Sequence, residues 1–209
     1  MNLYLFPAVP SNKGGYNIAV TKDYERLRPS AKDIIIWNDN IVLNTNEPNN
    51  SYYFNPVRLL SKKAIENIIK GRFSQEFSAS ELQFLSSYNF EEIHCDEVIF
   101  YRAIRKLFPN KKITVRFHNL FYRILVREKL LKIKSDWRFE GKMQIVTKLE
   151  KEIFLDNNVY KIFITEEDGL FYKAITGRSD YEIWDFEPNV LEIEKNRNAI
   201  QIKHILVWF

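Results

Sequence analysis

The sequence is poor in the residues that mark most specialised classes. One of its 209 residues is cysteine, Cys95. A single thiol forms no internal disulfide and no thiolate cluster, and that usage suits a reducing compartment. Three histidines stand scattered at 94, 118 and 204, so no zinc spacing exists. Six glycines and seven prolines leave few flexible linkers. No window approaches the ~20 apolar residues that span a bilayer. The opening Met1-Asn2-Leu3-Tyr4-Leu5-Phe6 lacks a basic flank and meets Pro7 at once, too short for a signal sequence. These absences predict a cytoplasmic protein with no bound metal.

What remains is ordinary globular composition, 45% hydrophobic and 28% charged, enough to bury one large core. Strand-like and helix-like segments alternate, which predicts an α/β fold: a doubly wound, mainly parallel, Rossmann-like sheet. Strands are expected at Leu3–Phe6, Asp33–Trp37, Ile41–Leu43, Glu92–Cys95, Lys112–Phe117, Val159–Ile164, Tyr181–Phe186 and Ile202–Phe209. Helices are expected over Tyr16–Leu27, Pro56–Lys70, Ser78–Ser87, Asp96–Phe108, Leu120–Lys134, Phe139–Phe154 and Thr165–Ile175, with Glu47–Tyr52 a polar loop. Ser78 with Glu81, and Thr165 with Asp168, have the capping-box spacing. The pattern divides into a Rossmann-like domain over 1–190, then a linker and a first strand of a second domain over 191–209. The final apolar run stops where a βα loop should begin, as at a domain boundary.

Charge is mild overall, +4, but uneven. Eleven Lys/Arg and one acid, Glu128, lie between Arg102 and Lys134. That stretch reads as a solvated basic face or as a surface for phosphates. Within it Arg123 and Arg127, four apart, share a helix face that could meet an anionic membrane.

Ligands of open α/β sheets bind outside the carboxyl ends of the strands. After the first strand comes Ser11-Asn12-Lys13-Gly14-Gly15-Tyr16, where two glycines and a helix N-terminus could approach an anion, or simply form a tight turn. Neither the dinucleotide fingerprint nor the P-loop spacing is present, and no G-x-S-x-G elbow exists. His118 and Asn119 follow the Lys112–Phe117 strand, and His118 reads either as a helix-capping or loop histidine or as a cleft side chain that carries little packing. Asp96 reads as an N-cap, with a catalytic acid as the alternative. His94 reads as a core histidine. Glu166, Glu167 and Asp168 suit a first helical turn.

In this order the segments Gly14-Gly15, Glu91-Glu92-Ile93-His94-Cys95-Asp96, Ile113-Thr114-Val115-Arg116-Phe117-His118-Asn119, Ile162-Phe163-Ile164-Thr165-Glu166 and Glu187-Pro188-Asn189-Val190 resemble the N-terminal domain of family 4-like glycosyltransferases. Those enzymes have the two-domain GT-B fold. The resemblance implies transfer of a sugar from a nucleotide sugar to a sugar or lipid-linked acceptor, with retention and without a metal or other cofactor, in cell-surface polysaccharide synthesis. It implies that Gly14 and Gly15 approach the donor phosphates or the acceptor. It further implies that His118 hydrogen-bonds the transferred sugar, and that Asn119 and Glu166 line the cleft. The donor's nucleotide would sit on a second domain, so the chain alone should be inactive. Two rivals remain: half of another GT-B enzyme, such as a nucleotide-sugar epimerase, and a non-catalytic module binding nucleic acid through its basic stretch. On the transferase reading no nucleic acid is expected.

Overall fold

Seven short strands, six helices and one 3-10 turn carry the described part of the chain. The computed structural model describes residues 1–7, 15–37, 51–53, 77–131 and 137–184, and within these the side chains of 15–17, 53 and 137–145 are not described. Gly14, the expected strand Ile41–Leu43, the expected helix Pro56–Lys70, and the linker and second-domain strand of 191–209 lie outside the described residues.

The strands are β1 (Leu3–Phe6), β2 (Ile34–Trp37), β3 (Ser51–Tyr53), β4 (Ile93–Cys95), β5 (Ile113–Phe117), β6 (Val159–Phe163) and β7 (Tyr181–Ile183). They form one sheet in the order β3-β2-β1-β4-β5-β6-β7, and every pairing is parallel. The helices are α1 (Gly15–Leu27), α2 (Ala79–Ser86), α3 (Tyr101–Leu107), α4 (Phe121–Leu130), α5 (Trp137–Leu155) and α6 (Glu166–Thr176), with the 3-10 turn Val98–Phe100 leading into α3. The fold is thus the α/β, doubly wound, Rossmann-like arrangement. Among the described residues no helix is long and apolar enough to cross a membrane.

A parallel sheet needs cover on both faces because its strands are apolar on both. Side chains alternate along each strand, so the two faces can be read from register. Leu3, Leu5, Ile93, Cys95, Ile113, Val115, Phe117 and Phe163 point to the face covered by α2, α3, α5 and α6, where Leu85, Ile104, Leu149, Ile153 and Tyr172 complete the main core. Tyr4, Phe6, Ile35 and Trp37 point the other way and pack against Val20, Tyr24 and Leu27 of α1.

Local chemistry sets several boundaries. At α2 the Ser78 side chain accepts from Glu81 N–H while the Glu81 carboxylate accepts from Ser78 N–H, closing the expected capping box. At α6 Thr165 Oγ1 accepts from Asp168 N–H at 3.2 Å. Gly177 ends α6 at φ +72°, a left-handed conformation that glycine adopts without a Cβ clash.

Two expectations fail. Ser51–Tyr53 is a strand hydrogen-bonded to β2, where Glu47–Tyr52 reads as loop: three residues beside an existing strand gain a ladder that local propensity does not reveal. Asp96 does not cap the following helix. The Glu97 side chain takes that role, accepting from Val98 N–H at 2.9 Å, and Asp96 turns inward.

A buried charged cluster at the switch point

Strand order reverses between β1 and β4, which flank each other although β2 and β3 follow β1 in the chain. That reversal is where open α/β sheets form a crevice. At its carboxyl edge Asp96 N–H donates to Leu5 O at 2.8 Å, tying the end of β4 to β1. Four charged or titratable side chains gather there: Asp23 from α1, Asp96 after β4, Arg116 in β5 and His118 just after it, all nearly solvent-free.

Each reaches this place for a local reason. Val20, Asp23, Tyr24 and Leu27 fall on one stripe of α1 by helical spacing, so Asp23 stands at a core-facing position among apolar neighbours. Arg116 alternates with the buried Val115 and Phe117 and so points to the α1 face. It donates from Nη1 to Asp23 Oδ1, and its Nε lies 4.0 Å from Asp96 Oδ1. The Trp184 ring, just past β7, covers the group: Arg116 and Arg26 sit over it at 5.4 and 4.9 Å, and His94 stacks on it at 5.8 Å.

His118 is 6% exposed. Its Nε2 stands 3.3 Å from Asp96 Oδ2 and 3.9 Å from Asp23 Oδ2. The ring also hydrogen-bonds the Asp96 backbone, where only the carbonyl can accept. Nε2 is therefore turned inward. The expectation of a lightly packed cleft side chain does not hold, because α1 and β4 supply polar partners that close over the ring.

Burial dominates the electrostatics. It raises the Asp23 and Asp96 carboxyls well above the ordinary carboxylate range; Asp96 adds to the shift of Asp23, and Arg116 opposes it in both. Burial also lowers His118, against the pull of Glu97 and Asp23. Burial, helped by the charges of Arg116 and His118, pushes His94 down to about 3, so His94 is a neutral core histidine as expected.

The remaining predicted residues surround this cluster without joining it. Gly15 is the first residue of α1, eight positions before Asp23 on the same helix. Asn119 is exposed beside His118. Glu166 is exposed in the first turn of α6, beyond the end of β6. Between them the first turn of α4 is held by a buried acid: Glu150 of α5 accepts from Phe121 N–H at 2.8 Å and Tyr122 N–H at 2.7 Å. Arg123 of α4 pairs with Asp168 of α6 at 3.0 Å.

The basic stretch is less free than its sequence implies. Arg102 pairs with Glu152, Arg105 with Asp156, Arg116 with Asp23 and Arg123 with Asp168. Among the described residues, four of the bases of this stretch thus face acids from other parts of the chain.

Asp23 and Arg116 escape sequence reasoning. Their signal is a charge at a position whose period places it inside, one in a helical stripe and one in a strand. No protein-family model matches the sequence, and no curated protein matches it.

Proposed function

We propose that this chain is the acceptor-side half of a two-domain glycosyltransferase that moves a sugar from a nucleotide sugar to an acceptor hydroxyl. The observation that carries the reading is the buried cluster of Asp23, Asp96, Arg116 and His118 at the switch point, joining the helix after the glycine turn to the ends of two central strands. Charges in a dry core cost stability unless they are paired. Their place at the carboxyl edge, where such sheets bind ligands, gives that cost a purpose.

In this reading the cluster is the floor of the acceptor cleft. It fixes Gly15 at the head of α1 on one side and Asn119 at the end of β5 on the other. Asn119, being exposed, is the residue that meets the sugar, and His118 holds it from beneath. Gly14 and Gly15 approach the donor phosphates or the acceptor, and Glu166 lines the far wall. A second domain supplies the nucleotide site. The transition state then builds charge between the two halves, where positioned dipoles are worth several kcal/mol. The rival nucleic-acid module draws less support, since four of the bases it would use are engaged within the chain.

Titration of the 15N-labelled chain with nucleotide sugars, acceptor glycans and single-stranded DNA separates these readings. The proposal expects glycans or nucleotide sugars to shift amides near 15–23, 96–97 and 118–121. Shifts confined to α3 and α4 with DNA, and none with glycans or nucleotide sugars, would refute it.

A further inference from the structure

We infer that the α1 face of the sheet holds a second binding pocket, which takes a neutral hydroxylated ring the size of one sugar, among His94, Thr114, Tyr160 and Trp184. Strand register builds it. His94 pairs with Tyr4 of β1 and with Thr114 of β5, and Thr114 pairs with Tyr160 of β6. Paired residues of neighbouring strands point to the same side. These four side chains therefore form one row across the sheet, on the face where α1 packs against β1 and β2. Further along that face the row borders a cavity of about 190 Å³, bounded by Leu27 and Trp184, and Tyr160 is 45% exposed. Parallel sheets are normally covered on both faces, so an open row on central strands is a place for an occupant.

His94 shows that the occupant is polar. The residue is 6% exposed, and its Nε2 is buried with no hydrogen-bond partner among the described residues. Native proteins seldom leave such an atom unpaired. The ring stacks on Trp184 at 5.8 Å with planes 12° apart, a contact that fixes its plane and uses neither nitrogen. Burial keeps the imidazole neutral, so it presents one N–H and one lone pair. A hydroxyl both donates and accepts, and so matches either nitrogen in either tautomer. An ammonium can only donate, and a phosphate oxygen can only accept.

The remaining lining narrows the class. Glu92 and Glu182 stand exposed on the rim, where they repel anions and accept from hydroxyls. Thr114 adds a hydroxyl, and Tyr160 offers a ring face to the C–H face of a sugar. The volume falls below the ~300–1,000 Å³ of pockets for drug-sized ligands, which suits one ring and not a nucleotide. The row holds the second residue of β4, β5 and β6, so the pocket lies toward the amino ends of the strands. Asn119 follows their carboxyl edge, and the inference does not rest on sugar transfer.

The test is NMR of the full chain, labelled with 15N, titrated with glucose, galactose, N-acetylglucosamine and inositol at millimolar concentration. Glucose 6-phosphate, ethylammonium and adenosine serve as the anionic, cationic and nucleoside controls. At least one neutral sugar or inositol is expected to shift the His94 ring nitrogens, the Trp184 indole N–H and the amides of 114 and 160, and the phosphorylated sugar to do so much less. His94→Phe keeps the stacked ring and removes the nitrogens, and should weaken binding about fivefold or more, the worth of one hydrogen bond. If that variant does not fold, Tyr160→Ala at a half-exposed position gives the same reading through the lost sugar contact. No shift at these residues with any neutral ring would overturn the inference. So would stronger shifts with ethylammonium or adenosine, or binding that Tyr160→Ala leaves unchanged. Sugar shifts confined to 118–121 would overturn it while leaving the proposed function standing, so the two fail separately.

Discussion

Glu150 offers the sharpest test of how burial and hydrogen bonding compete in this molecule. It is wholly buried on α5, and its two oxygens each accept a backbone N–H from the first turn of α4. No side chain caps that helix at Leu120, so Glu150 does the work from a neighbouring helix. In Glu150→Ala both N–H groups lose their acceptor. Leaving a buried donor unsatisfied costs about 1–3 kcal/mol, and removing the buried carboxyl returns part of that sum. We expect a net loss of about 3 kcal/mol, or roughly 6–12 °C in Tm for a domain of this size. The pH dependence discriminates further. Burial pushes the Glu150 carboxyl up to about 8, against the two backbone donors and with help from the charges of Glu97 and Asp168. Its folded value is above its unfolded one, so the folded state binds more protons across the window from about 4.5 to about 8. The contribution is therefore complete below that window and declines as pH rises through it, by up to about 1.4 kcal/mol per pH unit. Urea unfolding at pH 5, 6.5 and 8.5 would show the cost of Glu150→Ala shrinking as pH rises. A cost that grows with pH would refute the reasoning, because the ionised form would then be the one that holds α4.

Three further predictions follow from other parts of the fold. Lys161 is wholly buried in β6 and donates to Asp180, which also accepts from Tyr172 OH and Arg178; Asp180→Ala should cost about 2 kcal/mol by denaturant unfolding, the usual penalty for breaking a buried pair discounted for the exposure of Asp180. Although burial works against it, the Asp180 carboxyl is held down at about 2 by those donors, so its contribution should be present above about pH 4 and vanish as pH falls toward 2, which acid unfolding of wild type against variant would read. Gly169→Ala should destabilise by ~1–3 kcal/mol in a thermal melt, since an added Cβ would stand 2.9 Å from Ile183 Cδ1 and closer still to the Tyr181 ring. The membrane reading moves from Arg123, which Asp168 engages, to the exposed Arg127 and Lys129 beside Leu130 and Leu131; anionic vesicles should pellet the wild type at low salt and Arg127→Glu/Lys129→Glu much less, and equal pelleting would remove that role.

Much of the scaffold was legible in the sequence because single residues carry it. Ile34-Ile35-Ile36 reads as a strand and is one. Ser78 with Glu81, and Thr165 with Asp168, announce helix starts that both form. The site was legible only in part. His118 could be placed at a strand end, since the apolar run before it fixes the register. That its ring would turn inward depends on Asp23, 95 residues earlier, and on Asp96, and no local pattern links them. Asp96 read as a cap because an acid before a helix commonly is one, yet Glu97 stood next to it and had the same chemistry to offer. Arg116 alternates with apolar neighbours just as an exposed strand residue would, and only the cover of α1 and Trp184 makes it interior.

The most direct measurement is sugar transfer itself, assayed by mass spectrometry with a panel of nucleotide sugars and acceptor glycans. The chain would be tested alone and joined to the donor-binding domain that the proposal requires. The account predicts no product from the chain alone. It predicts an acceptor-dependent glycosylated product from the joined protein, reduced tenfold or more by Asn119→Ala with little change in melting temperature. Robust turnover by these 209 residues alone, or a joined protein that converts nucleotide sugars without any acceptor, would contradict it.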